Sequence, residues 1–225
     1  MRKESKTPMI SCDTIVFDFN GTILDDRDLC IRILNEMLEM QGHEPVSVDR
    51  YVRIFTFPII NYYKAAGFKF EPEGNDDFPY LANIFVERYN KGFINETRMF
   101  PDVRDFLETF KGKKKLVCLS ASKQSMLDEG LKHIGIYDMF DDIIGIKDIY
   151  AASKLEEAKQ YFETTKEDMG KVLFIGDTLH DVEVAKELGA KIMLIARGHQ
   201  HMDVLETGNP DMIVSSFEEA KKYVL

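Results

Sequence analysis

The 225-residue sequence predicts an α/β fold: a Rossmann-like, doubly wound parallel sheet with an all-helical segment inserted into it. Three observations carry that expectation. Short apolar runs alternate with amphipathic helical patterns, the order that builds a parallel sheet through right-handed crossovers. Most of these runs lack the polar alternation of a half-exposed strand, so they belong in a sheet covered on both faces. Between about Asp28 and Thr97 the alternation stops, and helical patterns follow one another with no convincing strand.

The first run is Thr14–Phe19. The helical stretch comes next. Leu29, Ile33, Met37 and Met40 form a stripe closed by Gly42, "YVRIFTFPIINYYKAAG" is interrupted by Pro58, and Leu81, Ile84, Phe85 and Tyr89 line another amphipathic face. Pro101 and Asp102 then open a helix with Val103, Phe106, Leu107 and Phe110 on one side, stopped by Gly112. Leu116–Ser120 is the second strand, followed by a helix from about Lys123 to His133. Ser153 to about Thr164 is the next helix; Ser153 and Glu156 have capping-box spacing, which puts Lys154 at its first position. Val172–Ile175 leads into a helix over Leu179–Leu188, and Lys191–Ala196 and the weaker Asp211–Val214 complete the strands. Residues 1–27 and 98–225 are thus expected to form the core. Residues 28–97 form a lid above the carboxyl ends of the strands, where open α/β sheets bind ligands.

Composition excludes several classes of function. Hydrophobic residues make up 44% of the chain, enough for a packed interior. With 29 basic against 39 acidic residues the net charge is −10, which disfavours nucleic acid or an anionic membrane as a partner. The basic run Lys111–Lys115 is expected to be a solvated loop. Cys12, Cys30 and Cys118 are odd in number and widely spaced, so reduced thiols in a cytoplasmic protein are expected. No apolar run approaches the roughly 20 residues that span a bilayer.

Three strands end in a residue able to do chemistry: Asp18, Ser120 and Asp177. A parallel sheet places such ends side by side, whatever their separation in sequence. Two carboxylates brought together repel unless a cation lies between them, and Mg²⁺, a hard ion that takes oxygen ligands, suits Asp18 and Asp177 with Asp181 in support. Lys154 at a helix start is at the wrong end of the helix dipole for a cation, which suggests a nearby anion. Gly21 and Thr22 offer backbone N–H groups, and Ser120 a hydroxyl, for phosphate oxygens. Together these residues supply a carboxylate nucleophile, a metal and donors for an oxyanion, the parts needed to form and hydrolyse an aspartyl-phosphate.

The chain resembles the haloacid dehalogenase-like hydrolases, in particular their phosphatase branch with a helical cap after the first strand and its phosphoglycolate phosphatase-like members. Four motifs stand in the expected order: "DFNGT", "LSAS", "ASK" and "GDTLHD". The resemblance implies Asp18 as nucleophile, Ser120, Ala121 and Lys154 as phosphate contacts, and Mg²⁺ held by Asp18, Asp177, Asp181 and the backbone carbonyl of Asn20. It implies a small phosphorylated metabolite as substrate and a monomer or homodimer.

The family's usual residue two places after the nucleophile is a second Asp, which protonates the leaving group. Here it is Asn20, which has no titrating proton. Four explanations stand side by side: a substrate with a good leaving group, a substitute acid (Asp25, Asp26 or His180), an engineered residue, or binding without turnover. Dehalogenase chemistry and phosphonate cleavage through a lysine such as Lys64 are the rival enzyme readings. His199 and His201 are expected in a surface loop. Phe55, Phe57, Tyr62 and Tyr63 are expected in the core of the lid, with one or two facing substrate, and Arg53 is a candidate for a distal substrate charge.

Overall fold

The computed structural model describes residues 9–147 and 154–225. Six parallel strands form its sheet: β1 (Thr14–Phe17), β4 (Lys115–Lys123), β5 (Asp142–Ile146), β6 (Val172–Gly176), β7 (Lys191–Ile195) and β8 (Met212–Val214). A short antiparallel pair, β2 (Leu24–Asp25) and β3 (Arg98–Met99), stands apart. The order in the large sheet is β5-β4-β1-β6-β7-β8, all parallel, so the chain winds outward in both directions from β1. The reversal of strand order at β1 opens a crevice beyond its carboxyl end.

Alternation along the strands fills both faces, because successive side chains point to opposite sides. Ile15, Phe17, Leu116, Cys118, Leu173 and Ile175 enter one apolar layer with α5 (Val103–Phe110), α6 (Gln124–His133) and α10 (Phe217–Ala220). Val16, Val117, Leu119, Val172 and Phe174 enter the other, with α7 (Leu155–Thr165), α8 (Leu179–Leu188) and α9 (Met202–Thr207). Phe17, Phe106 and Phe217 meet with ring centroids 4.9 to 6.0 Å apart. Burial of a side chain of this size contributes about 1.5–3 kcal/mol.

The inserted segment is helical: α1 (Arg27–Met40), α2 (Val48–Ile54), α3 (Ile59–Ala66) and α4 (Phe78–Glu96). It has its own apolar cluster, including Leu29, Ile33, Leu34, Met37, Tyr51, Tyr63 and Leu81. Ser47 caps α2 by accepting from the Arg50 N–H, and Asp77 caps α4 by accepting from Tyr80. The segment leaves and rejoins the sheet through the β2–β3 pair, in which Leu24 faces Met99 and Asp25 faces Arg98. That ties both ends of the insertion to one point beside the end of β1.

Several sequence-based boundaries shift. The second strand does not stop at Ser120; β4 continues to Lys123 through an irregular register against β5, so α6 starts at Gln124. The sequence reading missed β5 ("DIIGI"), whose residues are mostly half-buried and which carries a glycine. That glycine is required, since a Cβ on Gly145 would meet the backbone of Gln124 and Ser122 at 2.7 Å. Lys154 occupies the N-cap position of α7 rather than its first helical position, and the proposed cap residue Ser153 lies outside the described residues. No helix among the described residues is long and apolar enough to cross a membrane.

Candidate active site

Asp18 follows β1 directly, and its N–H continues the ladder to Ile175 of β6 at 2.9 Å. Phe19 turns into the core at 2% exposure, so its neighbours Asp18 and Asn20 turn the other way, into the crevice. This alternation explains the aromatic between two polar residues. Asp177 follows β6 in the same way, and Asp181 sits in the first turn of α8. There its Oδ2 accepts from the N–H groups of Asp177 and Thr178 at 3.2 and 3.0 Å. Oxygen atoms of Asp18, Asp177 and Asp181 lie within 4.8 Å of one another.

Lys154 enters this cluster from the start of α7, 2% exposed. Its ammonium donates to Asp18 Oδ1 at 2.5 Å, Asp181 Oδ1 at 2.7 Å and the Leu119 carbonyl at 3.3 Å. Burial is the largest influence on Asp18 and raises its pKa; Lys154 pulls it back, while Asp181 and Asp177 push it up again, and the net direction is upward. Asp177 is raised too, by burial first, against the lowering influence of His199. For Asp181 burial is outweighed by Lys154, and its pKa falls. Two carboxylates strained toward protonation with an oxygen-only donor set between them are what a hard divalent ion would relieve, so the residues present fit Mg²⁺.

Asp177 is held from three sides. Thr22 Oγ1 donates to Oδ1 at 3.1 Å and the His199 N–H to Oδ2 at 2.6 Å. Gly21, at φ +72°, and Gly198 lie so close that a Cβ on either would collide with its carboxylate. The Gly21 N–H, expected to be free for a phosphate oxygen, instead donates to Leu24 O at 2.9 Å and Asp26 Oδ1 at 3.0 Å. Thr22 is fully buried, and its hydroxyl serves Asp177 rather than a ligand. Ser120 and Ala121 do line the crevice, where the Ser120 hydroxyl accepts from the Ser122 N–H at 3.1 Å.

Asn20 is fixed at both ends of its amide. Nδ2 donates to Asp26 Oδ2 and to the Tyr89 hydroxyl oxygen, each at 2.8 Å, and Oδ1 accepts from Ser122 Oγ at 2.8 Å. Asp26 is the centre of this network, 1% exposed, and also accepts from the Tyr89 hydroxyl at 2.8 Å. Its other oxygen lies 3.1 Å from His199 Nε2, and His199 Nδ1 lies 2.8 Å from the Tyr51 hydroxyl. Burial favours the neutral form of both partners, but pairing outweighs it. Asp26 is held below the usual carboxylate range, and His199 is lifted to about 9 by Asp26, with Asp177 and Asp18 behind it.

His199 is therefore not in a surface loop. It is 3% exposed and stacks on Phe55 at 4.8 Å, whereas His201 is a partly exposed N-cap of α9. Of the substitute acids, Asp26 is ionised with both oxygens occupied. His180 lines the crevice but is occupied too: Nδ1 lies 3.2 Å from Glu183, and Nε2 accepts from the Lys154 N–H at 3.4 Å. Tyr62 and Tyr63 are buried in the inserted helices, as expected, while Phe55 and Phe57 are half-buried and face the crevice. Arg53 is exposed and pairs with Asp49 and Asp203, away from the site. Sequence reasoning did not place Ser122, Tyr51, Tyr89 or Thr178 here. The rule that strand ends converge, extended to the loop after β7, would have included His199.

Comparison with known proteins gives a consistent picture. A family model described as haloacid dehalogenase-like hydrolase matches residues 15–195. The chain is 26% identical over 218 residues to a phosphoglycolate phosphatase of Caulobacter vibrioides, covering 93% of this chain and 89% of that one. It is 25% identical over 214 residues to an N-acetylmuramic acid 6-phosphate phosphatase of Pseudomonas putida, covering 93% and 95%. Among solved structures, a haloacid dehalogenase-like hydrolase from Streptococcus pneumoniae superposes with TM-score 0.79 at 24% identity, over 94% of this chain and 98% of that one. A haloacid dehalogenase-like protein from Agrobacterium tumefaciens gives 0.75 at 16% identity, over 94% and 97%. At these identities the structural likeness speaks for the fold.

Proposed function

The chain belongs to the haloacid dehalogenase-like hydrolases, and from that premise we propose that it is a phosphatase that releases inorganic phosphate from a small phosphorylated metabolite. The observation that carries this reading is the meeting of Asp18, Asp177 and Asp181 within 4.8 Å of one another, with the Lys154 ammonium on Asp18 and Asp181. Asp18, Asp177, Asp181 and the Asn20 carbonyl would hold Mg²⁺, which supplies positive charge to a phosphate approaching a carboxylate.

Lys154 holds one oxygen of Asp18 and orients the carboxylate. An Asp18 oxygen attacks phosphorus as the bond from phosphorus to the leaving oxygen breaks, and the electron pair departs with that oxygen. Water then cleaves the acyl phosphate, which returns the carboxylate and frees phosphate. Ser120 and the Lys154 ammonium donate to the phosphoryl oxygens. Asn20 supplies no proton, so leaving-group departure is the step this chain helps least. Residues 28–97 act as a cap that excludes bulk water and selects the substrate. Three buried, unpaired cysteines accord with a reducing cytoplasm.

Phosphate release from a panel of phosphorylated metabolites, with Mg²⁺ and after chelation, tests the reading. Release that requires both Mg²⁺ and Asp18, and is lost in Asp18→Asn, is expected. Tight binding of phosphorylated compounds with no release would instead identify a phospho-ligand-binding protein.

A further inference from the structure

Two independent features of the crevice restrict the leaving group. The first is its wall. The cavity, about 170 Å³, is lined by Asp18, Asp177 and Lys154 and by half-buried Phe55, Phe57 and Phe85 of the inserted segment. An apolar cavity of about 150 Å³ takes up a benzene ring. Each ring stacks one face on a neighbour, Phe55 on His199, Phe57 on His180 and Phe85 on Tyr89, and the surface each still leaves toward water is stabilised when an apolar group covers it.

The arginines of the inserted helices are directed elsewhere. Arg32 and Arg88 serve Glu36, Arg50 serves the Ala65 carbonyl, and Arg53 serves Asp49 and Asp203. Among the described residues the cations on the cavity wall are Lys154, paired with Asp18 and Asp181, His199, paired with Asp26, and Lys123, exposed at the end of β4.

The second feature is Asn20. Its amide has no proton to give, and Asp26, Tyr89 and Ser122 hold it at both ends. An alkoxide, comparable in basicity with hydroxide at about 15.7, needs that proton; a phenolate, at about 10, leaves far more readily without it.

We propose that the substrate is the phosphate monoester of a small uncharged phenol, its ring seated beneath Phe55, Phe57 and Phe85. This rests on the phosphatase reading and names its substrate class. An Asp18 oxygen bonds to phosphorus as the bond to the aryl oxygen breaks, the electron pair leaves with the phenolate, and solvent supplies its proton. At the ring seat the carboxylate of a phosphoglycolate-type substrate would meet aromatic faces, while Lys154 and His199 already hold Asp18, Asp181 and Asp26.

Steady-state kinetics of the intact protein with Mg²⁺ on phenyl phosphate, benzyl phosphate and 2-phosphoglycolate test this. Benzyl phosphate keeps the ring but leaves as an alkoxide, so a kcat about 100-fold below that of phenyl phosphate at a similar KM is expected. Phosphoglycolate is expected to fall further, through KM as well. Phosphoglycolate turned over with kcat/KM equal to or above that of phenyl phosphate would overturn the substrate class and leave the phosphatase reading standing. Equal kcat for phenyl and benzyl phosphate would overturn the leaving-group argument; release from none of the three but from other phosphorylated metabolites would overturn the substrate class alone, and release from none of the wider panel would remove the phosphatase reading with it. Phe57→Ala is expected to raise KM for phenyl phosphate about tenfold while inhibition by inorganic phosphate stays within about twofold. Parallel loss of both would show general damage to the site and count against the ring seat.

Discussion

Replacing Lys154 with Met takes one charge out of the buried cluster and keeps most of the side-chain volume. In the native chain the ammonium is 2% exposed and holds Asp18 at 2.5 Å and Asp181 at 2.7 Å. The variant leaves Asp18, Asp177 and Asp181 facing one another without it. Removing one partner of a buried ion pair costs about 3–5 kcal/mol. At about 2–4 °C per kcal/mol for a chain of this size, the melting temperature should fall by about 6–20 °C at pH 8 in chelator. The pH dependence has a definite sign. Burial opposes the charge on Asp181 but Lys154 outweighs it, so its pKa in the fold lies below the unfolded value. Its contribution is present above an unfolded pKa near 3.9 and is lost as pH falls through the folded one. The gap between wild type and Lys154→Met, followed by circular dichroism on heating, should therefore be full at pH 8 and narrow toward pH 3. A gap under about 2 °C at pH 8, or one that does not change with pH, would show that Lys154 does not hold the carboxylates together.

Other expected outcomes follow from the same geometry. Asn20→Asp should raise turnover of alkyl phosphates more than tenfold. It should also destabilise the fold by about 1–3 kcal/mol, because an acid replaces the donor that faces Asp26 at 2.8 Å; no kinetic gain would point to a slow step other than leaving-group departure. Mg²⁺ should raise the melting temperature of the wild type, by about 2.7 kcal/mol of stability at a hundredfold excess over its dissociation constant, and Asp177→Asn should abolish the effect. His199 is lifted to about 9, so its pairing with Asp26 is fully present below about pH 6.5 and fades as pH rises through about 9. Denaturant titrations should show a loss on the order of 3 kcal/mol across that range, and His199→Gln should flatten it.

Much of the fold was legible because strand ends in a parallel sheet converge by topology alone. Asp18, Asp177 and Lys154 needed no contact information to be brought together: each is delivered by a recognisable apolar strand or a helix start. β5 was not legible, since Asp142–Ile146 is half-buried and draws its place from β4 rather than from its own pattern. The network behind the site was hidden for a different reason. Asp26, Tyr51, Tyr89 and His199 come from the insertion, its entrance and a loop after β7, and only the docking of the insertion on the sheet makes them neighbours. Gly21 shows the converse: its position in the motif suggests a phosphate donor, yet the turn that brings Asp26 into the site takes its N–H.

The proposed attack of Asp18 on phosphorus, beside a divalent ion held with Asp177, can be trapped by acid-quenched single turnover with a ³²P-labelled aryl phosphate, followed by peptide mapping. Label is predicted on the Asp18 peptide as an acyl phosphate, dependent on Mg²⁺ and absent from Asp18→Asn. Phosphate release with no label at Asp18, or labelling that persists in chelator, would contradict it.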